Sequence, residues 1–89
     1  QEPDIVVLDV RSMGEFEDGH IDGAVHIEVA HLRTRHVELD KDRKTVLVCR
    51  GGNRAMVAAS LLKQKGFRNL MNLSGGMTGY EAAGFFKRN

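Results

Sequence analysis

Apolar and polar positions follow two rhythms along the chain. Ile5-Val6-Val7-Leu8 is an unbroken apolar run closed by Asp9, the pattern of a strand buried on both faces. Ser12, with Glu15 three positions later, matches a capping box and predicts a short helix over residues 13–17, ended by Gly19. Ile21-Asp22-Gly23 reads as a turn and Ala24-Val25-His26-Ile27 as a second short strand. Val29, Leu32 and Val37 predict an amphipathic helix over residues 28–37. The mixed-charge run Asp40-Lys41-Asp42-Arg43-Lys44 is a solvated turn. Thr45-Val46-Leu47-Val48 is a third strand, and residues 55–65, rich in strong helix formers, make the main helix. Val57, Leu61 and Leu62 are its expected packing stripe, and Gly66 its left-handed cap. Leu70-Met71-Asn72-Leu73 is a fourth strand. Ser74-Gly75-Gly76 then breaks the chain, and a last short helix is expected over residues 77–83, stopped by Gly84.

Strands alternating with helices at such short intervals imply right-handed crossovers and a mainly parallel sheet. The expected fold is therefore α/β, a sheet of four to five short strands flanked by helices, in one domain over residues 1–89. In such sheets ligands bind beyond the carboxyl ends of strands. Cys49 stands at one such end, Asp9-Val10-Arg11 at another and Ser74-Gly75-Gly76 at a third.

The segment Cys49-Arg50-Gly51-Gly52-Asn53-Arg54-Ala55 carries the chain's single cysteine, between the third strand and the main helix. Gly51 and Gly52 permit a tight backbone whose N–H groups converge on one hollow. The helix behind adds its first-turn N–H groups and the positive end of its dipole. Such a setting favours a thiolate over a thiol, and Arg50 and Arg54 add positive charge on either side. The expectation is an anion cradle with a nucleophile at its lip. A glycine turn and a small buried hydrophobe would also write Cys-x-Gly-Gly, but two flanking arginines suit a structural cysteine poorly.

Composition narrows the partners. Thirteen Lys and Arg against twelve Asp and Glu leave a net charge of +1, so no global field points to nucleic acid or to an anionic membrane. Any preference for anions is local to the loop. One cysteine fits a reducing, cytoplasmic setting. No apolar run spans a bilayer. The histidines at 20, 26, 31 and 36 fall on no common helix face and have no metal-binding companions, so no metal site is expected. Neither phosphate-binding glycine signature occurs. Phe16, Phe67, Phe85 and Phe86 read as packing residues.

Together these stretches closely resemble a single-domain rhodanese, a thiosulfate or related sulfurtransferase. The resemblance is carried by Leu8-Asp9-Val10-Arg11, by Glu15-Phe16 with Gly19-His20-Ile21-Asp22-Gly23-Ala24, by the Cys49–Arg54 loop, and by Gly75-Gly76-Met77 through Tyr80 to Ala83-Gly84. It implies an α/β sandwich, a catalytic Cys49, and a substrate-binding loop of Arg50, Gly51, Gly52, Asn53 and Arg54, with Arg54 at the family's loop arginine. Asp9 and Arg11 match its early strand-end motif, near the active-site loop, where the resemblance implies either a supporting, ion-pairing role or a catalytic one. The implied reaction passes a sulfane sulfur through a Cys49 persulfide, from thiosulfate or a persulfide donor to a thiol or cyanide. A fused or partner protein is a further acceptor in a cell. No metal or organic cofactor is implied.

Three departures stand out. Only residues 1–4 precede the first strand, where rhodanese domains carry another strand and helix, so the expectation is a truncated or partly disordered domain, or one excised from a longer chain. Asp22 replaces a frequent proline. Ala55, a supporting position, replaces a Ser or Thr whose hydroxyl would reach the bound sulfur. Two rival readings remain at this point: a non-catalytic rhodanese-like interaction or regulatory module, and a cysteine-dependent phosphatase or arsenate reductase. The second is disfavoured because four residues separate Cys49 from Arg54, one fewer than in the phosphatase cradle.

Overall fold

In the computed structural model, which describes residues 5–50 and 53–73, strands form at Ile5–Asp9 (β1), Val25–His26 (β2), Lys44–Val48 (β3) and Leu70–Asn72 (β4). All pair in parallel, in the order β2-β1-β3-β4. The helices are Met13–Asp18 (α1), Leu32–Arg35 (α2) and Asn53–Gln64 (α3). The expected α/β architecture is present, with four strands among the described residues. The glycine break at residues 74–76 and the helix expected over residues 77–83 lie outside the described residues.

Register explains the core. β1 and β3 align Leu8 with Leu47 and Asp9 with Val48. Alternation sends Leu8, Val10, Leu47 and Cys49 to one face, where they meet Leu32 of α2, Ala55, Ala58 and Leu62 of α3, and Phe67. Val7 and Val48 point the other way and pack with Ile21. Leu8, Leu32, Leu47 and Leu62 are wholly buried, each contributing about 1.5–3 kcal/mol. Their row along the sheet ends at Cys49.

The helices differ in detail from the sequence pattern. The capping box forms as expected: Ser12 accepts from the Glu15 N–H while the Glu15 side chain accepts from the Ser12 N–H. α3 begins at Asn53, two residues earlier than predicted, and buries Ala55, Ala58 and Leu62. Val57 is 62% exposed, so it is not part of the packing stripe. Two alanines let the helix lie close over the end of β3, which a valine there would prevent. Gly66 follows α3 with φ +95°, a conformation in which glycine alone is unstrained.

The single helix expected over residues 28–37 is broken into a 3₁₀ turn at Val29–His31, one α turn in α2, and a second 3₁₀ turn at His36–Glu38. Leu32 is its one wholly buried residue, and Val29 packs partly buried against the same core. The His36 ring also donates to the carbonyls of Leu32 and Arg33, while the Leu32 carbonyl keeps its main-chain bond from the His36 N–H. No described helix is long and apolar enough to cross a membrane.

Candidate functional site

Cys49 follows directly on β3 and inherits its alternation. Its Sγ therefore points to the α3 side, where it accepts the backbone N–H of Ala55 at 3.3 Å. That N–H belongs to the first turn of α3, whose leading donors have no partner within the helix. The twelve-residue helix also directs its positive end at the sulfur. Both features favour negative charge there.

The cysteine is only 1% exposed. It lies beneath the surface rather than at a lip, because the small Ala55 and Ala58 bring α3 down over the end of its strand. Ala55 itself supports the sulfur through its main chain, a contact that needs no hydroxyl. Gly51 and Gly52, two of the expected cradle residues, lie outside the described residues. Arg50 and Asn53 are exposed.

Arg54 lies in the first turn of α3 and reaches across to α1. Its Nη1 and Nη2 donate to Glu15 Oε1 and Oε2 at 2.6 and 3.0 Å. The same carboxylate accepts from the N–H of Ser12 at 3.1 Å and from its Oγ at 2.9 Å. With Arg54 as the main cause, these donors lower the Glu15 pKa from 4.5 to about 2. The pair correspondingly raises the Arg54 pKa, again chiefly through the hydrogen bonds with Glu15. A guanidinium expected to face a substrate anion is thus already engaged by a carboxylate. Spacing gave no sign of this partnership; Glu15 was legible only as the end of a capping box.

Asp9 and Arg11 form a second ion pair beneath the site. Asp9 accepts the Arg11 main-chain N–H at 3.0 Å, its Nε at 2.9 Å and its Nη2 at 2.7 Å. Arg11 Nη2 also donates to the carbonyl of Gly19 at 2.8 Å. Both residues are buried. The arrangement ties the end of β1 to the end of α1, and Val10 N–H closes onto Val48 O at 3.0 Å. The strand end that carries Cys49 is thereby tied to the braced end of β1, and on its other side Leu47 O accepts the Leu73 N–H at 3.0 Å.

Two histidines complete this floor. Phe16 is stacked between His20, with ring centroids 3.7 Å apart, and His26, at 4.4 Å. His26 Nε2 donates to the Arg11 carbonyl at 2.7 Å, and His20 Nδ1 to the Phe16 carbonyl at 2.7 Å. A carbonyl can only accept, so those two nitrogens carry protons. Among the described residues no group of three His, Cys, Asp or Glu converges on a metal position. The chemistry offered is that of a thiol held by a main-chain donor at a helix start: nucleophilic attack and retention of an anion on sulfur.

The description "Rhodanese-like domain" matches residues 1–83. A putative sulfur carrier protein of Bacillus subtilis is 37% identical over 71 residues, which are 80% of this chain and 38% of that protein. The chain thus spans well under half of that relative. A thiosulfate sulfurtransferase of Pseudoalteromonas translucida is 32% identical over 90% of this chain and 76% of its own length. Among solved structures, a rhodanese-related protein from Thermoplasma volcanium superposes with a TM-score of 0.85, at 32% identity, covering 91% of this chain and 80% of that one.

Proposed function

Since the chain belongs to the rhodanese-like domain family, we propose that it is a sulfurtransferase that carries sulfane sulfur on Cys49. The observation that carries the reading is the Ala55 N–H donating to Cys49 Sγ at the start of α3. In the first step the Cys49 thiolate attacks the outer sulfur of a donor such as thiosulfate. The new S–S bond forms as the donor's own S–S bond breaks, and sulfite leaves with that bond's electron pair. Negative charge then rests on the outer sulfur of the persulfide, near the helix start.

In the second step an acceptor thiolate attacks that outer sulfur and Cys49 departs as thiolate, ready for another cycle. Exposed Arg50 supplies positive charge for an anionic donor, and Asp9 with Arg11 supports the strand end. Gly51, Gly52 and Asn53 complete the substrate loop in this reading. Thiosulfate as donor is supported by the name of the Pseudoalteromonas relative, and a protein acceptor by that of the Bacillus sulfur carrier. Steady-state transfer from thiosulfate to cyanide is expected to give parallel double-reciprocal lines, the mark of a covalent intermediate. Intersecting lines, or turnover surviving in Cys49→Ser, would refute the assignment.

A further inference from the structure

We infer that Glu15 is a positioning residue for Cys49: through Arg54 it fixes the first turn of α3 and so aims the Ala55 N–H at the sulfur. The consequence for transfer rests on the sulfurtransferase reading; the geometry does not. Glu15 is itself held rigidly. Its carboxylate takes two hydrogen bonds from Ser12 and two from Arg54, which satisfies both oxygens. The forked guanidinium suits this paired recognition where an ammonium would not.

Arg54 and Ala55 share a planar peptide unit. A side chain that pins Arg54 therefore limits how far the next N–H can turn away from Cys49. The contact spans 39 positions in sequence and joins the starts of two helices, α1 and α3. Helix ends are the parts most readily frayed, so a tether at this turn has more effect on the sulfur than one in mid-helix. With its pKa near 2, Glu15 stays ionised throughout the neutral range and the tether stays closed there.

The division of labour differs from one in which Arg54 grips the donor. Arg54 is balanced by Glu15, so the charge that distinguishes anionic from neutral donors falls to exposed Arg50. Glu15 and Arg54 instead act on the nucleophile, whichever reagent attacks it.

The test is the rate of Cys49 alkylation by iodoacetamide against pH in Glu15→Gln, Glu15→Asp, Arg54→Gln and the Glu15→Gln/Arg54→Gln double variant. Glu15→Asp keeps the charge and a good helix-start residue while withdrawing the carboxylate by one methylene, and melting by circular dichroism confirms which variants are folded. A weakened donor to a charged sulfur is expected to slow alkylation at neutral pH by roughly three- to tenfold, with little change on the alkaline plateau. The double variant is expected to be no slower than the slower single one. Iodoacetamide is neutral and needs no sulfur donor, so an inactive sulfurtransferase would leave this result readable. A wild-type pH profile in folded Glu15→Asp would overturn the inference. So would faster loading by thiosulfate in Glu15→Gln, which would make Glu15 a competitor of the donor.

Discussion

Asp9→Ala removes the carboxylate that receives the Arg11 main-chain N–H and most of its guanidinium contacts. Asp9 is 1% and Arg11 6% exposed, so the guanidinium left behind stays out of water with its bond to Gly19 O. Breaking a buried pair in this one-sided way costs about 3–5 kcal/mol. A chain of 89 residues has about 4–13 kcal/mol of stability in total. The variant is therefore expected to lose at least about a fifth of that reserve. Urea unfolding followed by circular dichroism reads it directly: with a slope of about 1.5 kcal/mol per M, the midpoint should fall by roughly 2 M or more. Asp9→Leu/Arg11→Met replaces both charges by apolar groups and is expected to recover most of the loss. A midpoint shift below about 0.5 M for Asp9→Ala would refute the view that this pair anchors the strand end.

Leu62→Ala opens a cavity beneath α3, where Leu62 is wholly buried, and is expected to cost about 3–5 kcal/mol in the same urea assay. The folded-state Glu15 pKa of about 2 lies below its ordinary 4.5, so its contribution is complete above pH 4.5 and is lost as pH falls through 2. Because the pair is partly solvated, with side chains 25% and 37% exposed, that contribution is about 1 kcal/mol; the stability gap between wild type and Glu15→Gln should narrow from pH 5 to pH 2, and a constant gap would contradict the pairing. Ala55→Ser adds a hydroxyl at the residue whose N–H already meets Cys49, and is expected to speed iodoacetamide alkylation several-fold at neutral pH; an unchanged rate would show that the side chain at 55 faces away from the sulfur.

Local interactions were the legible ones. The Ser12–Glu15 box spans three residues and Asp9–Arg11 spans two, so spacing alone exposed the first and family resemblance the second. The strands followed from β-branched runs, and their parallel order from the alternation with helices. Of the expected packing stripe of α3, Leu62 is buried and Leu61 packs against the core, while Val57 is exposed; Ala55 and Ala58 were missed because alanine carries little hydrophobic weight, although its smallness is what lets the helix approach β3. That same approach buries Cys49, which charge in the flanking sequence had placed at the surface. The broken segment at residues 28–38 reflects one buried anchor, Leu32, where several apolar positions suggested a continuous face. Glu15 and Arg54 meet only because β1 and β3 are neighbours, information that no window of sequence contains.

The central claim is that Cys49 itself carries the transferred sulfur, and intact-mass spectrometry of the protein after exposure to thiosulfate tests it most directly. The account predicts a gain of one sulfur atom, removed by cyanide or excess thiol and absent in Cys49→Ser. No mass gain from thiosulfate or from a persulfide donor, or an equal gain in Cys49→Ser, would contradict it.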